Sequence, residues 1–299
     1  MYDKISHKKA VNKLVTSLLF TASFLTIFIT AGIVYVLLTD TIKFFRFPEV
    51  SLFEFLTGTE WTPVFVTKKF GVLPLVAGTF LTAGIATLIS VPLGLLIAVY
   101  LSEYVSGSIR EIVKPMIEFL EAIPTVVYGY FALLFLTPLL QKFIPELQGL
   151  NALAPGIVIG IMVLPYTASL SEDALRGVPQ ELREAAYALG DSRLNTAFRV
   201  VLPAAISGVM AAFILGISRA LGETMVVAIA AGIYPNLTLN PLEPIETITA
   251  YIVQISLGDL PFGTIEYLSI FAVGFTLFVI TLIFNTLAFW FKSKIRETY

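Results

Sequence analysis

Few side chains in this sequence could do covalent chemistry. Its 299 residues include no cysteine and one histidine, so thiol catalysis, disulfides, Cys-ligated metals and Ser-His-Asp triads lack their parts. His7 lies in a charged N-terminal stretch and reads as a solvated tail residue. Glu118 and Glu121 read as the charged end of a helix rather than as metal ligands, and no Gly-rich phosphate loop of the Walker type occurs. What remains is two charges inside an apolar run, Arg219 and Glu223. A lone arginine at the centre of a bilayer costs about 2.5–3.5 kcal/mol on insertion scales, so Arg219 should face protein or water. On a continuous helix Glu223 would meet it four residues on. The pair could neutralise itself and pin two helices, or it could form an anion site or gate. A guanidinium presents a planar fork to oxyanion oxygens, and Glu223 could hold that fork when no ligand is present or take a proton from a protonated oxyanion.

The second chemical feature is polar. Val178-Pro-Gln-Glu-Leu-Arg-Glu-Ala-Ala-Tyr-Ala-Leu-Gly190 has Pro179 for a first helical turn, Glu181 and Glu184 at the positive end of the dipole, and Gly190 to stop the helix. Leu182, Ala185, Ala186 and Leu189 form one apolar stripe at helical spacing. A second helical stretch follows from Asp191, and Pro203 opens the next apolar run. A short amphipathic helix joined through a glycine corner to a membrane helix could lie flat on the membrane, or transmit a push from a partner.

The elements that must position these residues are membrane spans. The chain is 57% apolar and 13% charged, with a mean hydropathy of +0.88; soluble domains average about 25% charged residues. This composition excludes a disordered chain and argues against a soluble enzyme, and a net charge of −2 gives no basic footprint for nucleic acid. Six runs reach the roughly 20 apolar residues that a spanning helix needs: Leu14–Leu38, Leu73–Leu101, Leu120–Leu140, Ala152–Leu170, Pro203–Ile233 and Tyr267–Phe291. The fifth, read as one helix, would be about 46 Å long. In it Gly208, Ala212, Gly216 and Ala220 form a small-residue stripe that includes the charged pair, permits close helix approach and would leave room for a permeant.

Lys and Arg set the orientation. With the N-terminus inside, the outside carries Lys43, Arg46, Lys68, Lys69 and Lys142. Inside lie Lys4, Lys8, Lys9, Lys13, Arg110, Lys114, Arg176, Arg183, Arg193, Arg199, Lys292, Lys294 and Arg296. Both termini are therefore expected inside. The outer loop Thr39–Val72 holds Phe44, Phe45, Phe53, Phe55 and Trp61 among its aromatics and reads as an interfacial anchor or a docking surface. The outer loop Tyr234–Glu266 contains an apolar piece, Ile248–Leu257, too short to span. The chain thus divides into a tail, first span and outer loop over 1–72, a core of five spans over 73–291 with the polar inner loop at about 178–203, and an inner tail over 292–299.

Glu184-Ala185-Ala186, Gly190, Val200 and Leu202-Pro203 resemble the EAA motif of ABC importer permeases, EAA-x3-G-x9-I-x-LP, with Val200 in place of Ile. Arg219-Ala-Leu-Gly-Glu-Thr-Met-Val-Val227 resembles the fifth span of phosphate importer permeases. Phe70-Gly-Val-Leu-Pro74, Gly78-Thr79, Pro92-Leu-Gly94, Leu101-Ser-Glu-Tyr104 and Ile123-Pro-Thr-Val-Val-Tyr-Gly129 are similar as well. The Gly-Glu-Thr-Met wording looks more like PstC-type than PstA-type permeases.

The resemblance implies an all-α, MetI-like type I ABC importer permease of a prokaryotic inner membrane, with six spans and both termini cytoplasmic. It implies a PstA-like partner permease, a PstB-like ATPase dimer that binds ATP and Mg, and a PstS-like external receptor, with no cofactor, metal or catalytic residue on this chain. Glu184, Ala185, Ala186, Gly190, Leu202 and Pro203 would couple to the ATPase, and Arg219 and Glu223 would stand on the transport path. Importers of molybdate, tungstate or sulfate share the EAA loop and are the nearest alternatives. A passive channel, a secondary carrier and a membrane enzyme are further rivals, and none of them accounts for that loop.

Overall fold

The computed structural model describes residues 2–294 and, within them, the side chains of residues 12–287, 289 and 290. The expectations for His7, Lys4, Lys8, Lys9, Lys292, Lys294, Arg296 and residues 295–299 fall outside those described groups.

The described chain is helical, with one isolated antiparallel bridge between Trp61 and Phe70. In order the helices are α1 (Tyr2–Phe45), α2 (Leu52–Thr57), α3 (Leu73–Val99), α4 (Gly107–Glu118), α5 (Thr125–Phe131), α6 (Thr137–Gln141), α7 (Leu153–Arg176), α8 (Gln180–Ala188), α9 (Arg193–Thr196), α10 (Leu202–Leu221), α11 (Met225–Ala230), α12 (Ile248–Leu257) and α13 (Ile265–Lys294). Three π-helical turns, Tyr100–Tyr104, Ala132–Leu136 and Ala197–Val201, extend α3, join α5 to α6 and join α9 to α10.

Among the described residues five helices are long and apolar enough to cross a membrane: Asn12–Phe45, Leu73–Tyr104, Leu153–Arg176, Arg193–Leu221 and Ile265–Leu287. The sixth passage is broken: Gly107–Ala122 and Thr125–Gln141 meet at 83°. Pro124 causes the break. It disfavours helical geometry at Ile123, which is extended at ψ 127°, and it becomes the residue before α5. The expected run Leu120–Leu140 is therefore not one straight helix: its first residues lie on the Gly107–Ala122 side of the bend and the rest on the Thr125–Gln141 side.

The central pair is α3 against α7. Small residues let the two backbones approach: a Cβ on Gly156 would lie 2.8 Å from Ile85 Cβ, and one on Gly160 would lie 2.9 Å from Ile89 Cβ. Thr167 adds an interhelical hydrogen bond to the Ser90 carbonyl, 3.1 Å. Ala83, Ala86, Val158, Ile159, Met162, Val163, Leu221 and Val226 form a buried cluster around this pair. A second cluster, with Val99, Leu175, Val201 and Val209, closes the α8 end of the bundle.

The aromatic loop after α1 is not an interfacial fringe. Phe44, Phe55 and Trp61 are buried and pack with Phe70 and Tyr251 in a third cluster, with Trp61 5.1 Å edge-on to Tyr251. These rings are edge-to-face and bury large apolar areas, so they cap the end of the bundle opposite α8. Phe53 and Phe65 of the same loop stay open, 77% and 62% exposed. The short piece Ile248–Leu257 forms α12, N-capped by Thr247, whose hydroxyl accepts from Ala250 N at 3.2 Å.

Candidate functional site

The expected amphipathic helix is present as α8. Pro179 precedes it, the chain turns at Gly190 with φ +86°, and the next helix starts at Arg193 with Ser192 as its cap. Only glycine adopts that φ at no steric cost. The following span begins at Arg193, ten residues before Pro203, which is the second residue of α10. The π-turn Ala197–Val201 makes this extension continuous. Glu184 and Ala185 are exposed, Ala186 is buried and Leu202 is half-buried. Leu182, Ala185, Ala186, Leu189, Gly190 and Val200 line one cavity of about 400 Å³. The EAA spacing thus has a three-dimensional meaning: the helix, its glycine corner and the start of the next span converge on one hollow.

Arg183 anchors α8 to the bundle, and its role was not legible in the sequence. Its guanidinium is bidentate to the Glu103 carboxylate, with Nη2 to Oε1 at 3.0 Å and Nε to Oε2 at 3.2 Å. It also donates to the Val178 and Leu175 carbonyls at 2.7 and 2.8 Å. The two side chains are 9% and 4% exposed. Glu103 lies in the π-turn that ends the α3 span, so one buried ion pair ties the amphipathic helix to a membrane helix.

A second buried acid, Glu172 of α7, performs the same service for α4. It is fully buried and accepts from Arg110 Nε at 2.7 Å, Arg110 Nη2 at 3.0 Å and Lys114 Nζ at 2.8 Å. Ser169 donates to Glu118 at 2.8 Å. A buried carboxylate needs such partners, but the residues lie some sixty positions apart, so helical spacing could not pair them.

The charged pair is not a pair. Helix α10 ends at Leu221, Gly222–Thr224 break the chain, and α11 begins at Met225. Arg219 sits in the last turn of α10, exposed, with its guanidinium 5.6 Å from the centroid of the Tyr166 ring. This is a cation–π distance. Glu223 is 8% exposed. Its carboxylate accepts from Met225 N at 3.1 Å and Val226 N at 3.3 Å, and its carbonyl accepts from Thr249 Oγ1 at 2.7 Å. Among the described residues no ion pair joins Arg219 to Glu223. The i,i+4 contact fails because the helix it assumed is interrupted: Glu223 serves the orphan N–H groups of α11 and leaves Arg219 on the ring of Tyr166.

The small-residue stripe is also filled. A Cβ on Gly208 would lie 2.6 Å from Ala174 Cβ, and one on Gly216 would collide with Thr167. Ala212 and Ala220 are buried. The stripe seats α10 on α7; it does not leave room for a permeant.

Taken together, these features define the type I ABC importer permease fold: among the described residues, five membrane-length helices and one broken helix pair, with a short amphipathic helix between α7 and α10. Solved structures share it. A chain of a bacterial ABC transporter involved in the import of the acidic polysaccharide alginate aligns over 94% of this chain and 96% of its own, with TM-score 0.65 and 16% identity. A MetNI methionine transporter chain aligns over 76% and 95%, with TM-score 0.55 and 19% identity. At that identity the likeness is one of fold.

The profile described as "binding-protein-dependent transport system inner membrane component" matches residues 90–297, and the chain belongs to that family. Among its relatives, the probable ABC transporter permease protein YqgH of Bacillus subtilis (strain 168) is 35% identical over 82% of this chain and 79% of its own. The phosphate transport system permease protein PstC of Mesorhizobium japonicum is 35% identical over 81% and 79%. That of Xylella fastidiosa (strain 9a5c) is 36% identical over 76% and 75%.

Proposed function

We propose that this chain is the PstC-type permease of an ATP-driven phosphate importer. The observation that carries the reading is α8, an amphipathic helix held on the α3 span by the buried Arg183–Glu103 pair, with an exposed Glu184 and a glycine corner that links it to α10. A partner that moves α8 moves two membrane helices at once. The identity to PstC proteins, over more than three quarters of the chain, supports phosphate as the cargo.

In this reading the α8 end and both termini are cytoplasmic, and a PstB-like ATPase dimer supplies the ATP and Mg sites and grips α8. A PstA-like permease completes the path, and a PstS-like receptor docks on the capped outer end. Arg219 is the anion contact on the path. Its guanidinium is held by a neutral ring rather than by a carboxylate, so the fork is free to meet an oxyanion. Glu223 contributes by fixing the break at Gly222–Thr224 and hence where Arg219 stands. Closure of the ATPase dimer would shift α8, open the permease pair outward and expose Arg219 to the receptor's cargo; hydrolysis would reset it.

The test is reconstitution of this chain with the three partners in liposomes and measurement of labelled phosphate uptake, with sulfate and molybdate as competitors. Uptake that needs ATP and receptor and resists both competitors is expected. Transport of molybdate or sulfate in place of phosphate would overturn the cargo, and uptake without the ATPase would overturn the coupling.

A further inference from the structure

A cavity of about 540 Å³ lies beside α8, on the side where Arg183 is buried, and it does not belong to the EAA hollow. Three arginines line it, Arg176, Arg183 and Arg193, against one acid, Glu103. Arg183 and Glu103 neutralise each other. Arg176 keeps only a 3.8 Å contact to Glu172, a carboxylate already held by Arg110 and Lys114, and 48% of its side chain is exposed. Arg193 is exposed and has no acidic partner among the described residues. Two guanidinium groups from the end of α7 and the start of α9 therefore share one hollow, one with a long contact to an acid that other cations already hold and one with no acidic partner among the described residues, and Tyr187 and Gln180 add neutral polar groups to its lining. Its volume is that of a small-molecule site.

We infer that this cavity binds a phosphate group, carried either by the free ion or by an anionic phospholipid headgroup. A carboxylate would satisfy one guanidinium fork. The free oxygens of a tetrahedral phosphate diverge in space, so those of the free ion, or the two non-bridging oxygens of a phosphodiester headgroup, can meet two forks at once, and Arg–phosphate hydrogen bonds are charge-assisted. The site touches the end of α3, the end of α7, α8 and the start of α9, so an occupant bridges the docking helix to both spans and holds it still. If the occupant is the free ion, cargo accumulating on the α8 side restrains the element that moves in transport; that consequence, though not the binding itself, rests on the proposed function.

The experiment uses the full chain with Arg219→Gln, which removes the anion contact proposed for the transport path, and needs neither ATP nor partners. In one arm the chain is placed in phosphatidylcholine nanodiscs and titrated with radiolabelled inorganic phosphate by equilibrium dialysis. In the other, phosphatidylglycerol is included and the lipid retained on the purified chain is counted by mass spectrometry.

Saturable binding in either arm is expected, and it should weaken about tenfold or more in Arg176→Gln/Arg193→Gln. Arg199→Gln, an exposed arginine outside the cavity, should leave it unchanged. Hydrogen exchange of Gln180–Ala188 should slow on binding, a readout that separates this cavity from any other anion contact. Both arginines of the double variant are exposed, and its thermal melting reports that it folds. Binding that survives the double variant, or no binding in either arm, overturns the inference while leaving the transport reading intact.

Discussion

Arg183→Ala isolates the link between α8 and the membrane helices. The substitution removes a bidentate ion pair and two hydrogen bonds to backbone carbonyls. It leaves Glu103, whose side chain is 4% exposed, as a charge with only Ser102 to donate to it. Breaking one side of a buried pair costs about 3–5 kcal/mol, chiefly because the surviving charge stays buried and unpaired. The cheapest relief is local. Swinging α8 off the end of α3 would wet Glu103 and spare the spans, so the cost should appear as a shift in the docking equilibrium of α8 rather than as global unfolding. At 1.4 kcal/mol per tenfold, that is a population shift on the order of 100-fold or more.

Hydrogen exchange of the amides in Gln180–Ala188 measures the shift directly. Arg183→Ala should speed it by about two orders of magnitude while exchange in α3 and α7 changes little, and uptake in the reconstituted importer should fall with ATP hydrolysis retained. Glu103→Gln combined with Arg183→Met removes both charges and should recover most of the protection. Unchanged exchange in Arg183→Ala would refute the claim that this ion pair holds the helix.

Gly190→Pro should uncouple ATP hydrolysis from phosphate uptake without loss of membrane insertion, because proline cannot adopt φ +86° and the corner must rebuild; normal uptake would end the lever reading. Glu223→Gln keeps an acceptor for the first N–H groups of α11 and should transport near normally. Glu223→Ala should cost about 1–2 kcal/mol of local stability by loss of the cap and lower uptake; equal loss in both variants would instead mark the carboxylate's charge as the active feature. Arg219→Ala should abolish saturable uptake and anion preference, and preserved preference would remove it from the path.

Glu246, in the loop before α12, is 1% exposed with Oε1 unpartnered, and burial pushes its carboxyl up to about 8. Its pKa in the folded cap lies above the unfolded value, so the folded state holds the extra proton. Stability should fall as pH rises from about 4.5 toward 8 and level off above it. Glu246→Gln should flatten that profile in thermal melts, and an identical slope in the variant would contradict it.

What could be read from the sequence was whatever rests on neighbours along the chain. The short amphipathic helix α8 was legible because Pro179, the stripe Leu182–Leu189 and Gly190 lie within a dozen residues and each has a local physical meaning. The spans were legible by length, and α12 by being too short. The break in the fifth span was not read, although its cause was visible. A 31-residue run of about 46 Å exceeds the hydrocarbon thickness of about 30 Å, and Gly222-Glu-Thr224 supplies a stop and a cap within it. Treating the run as one helix put Arg219 and Glu223 on one face and created a contact that does not exist. The partners that fix the docking helix, Arg183 with Glu103, and the acid under α4, Glu172 with Arg110, are joined only by the fold. Arg183 had been counted as a loop cation, and a buried bidentate role leaves no trace in local spacing.

The three π-helical turns bear on how such a chain tolerates change in length. Each admits one surplus residue into a span, seen as i→i+5 bonds such as Val105 N to the Tyr100 carbonyl at 3.2 Å. A π-turn closes i→i+5 where an α-turn closes i→i+4, so excising one position from Ala197–Val201 would let the turn close as ordinary α-helix with little rotation of either flank. Everything beyond Leu202 would keep its seat on α7, and everything before Thr196 would keep its face of the span. Single-residue deletions there should therefore be absorbed, whereas the same deletion inside α10 would turn one end of the span against the other by about 100°, and a gap that sequence comparisons place in these turns should be read as a change of local winding rather than of angle.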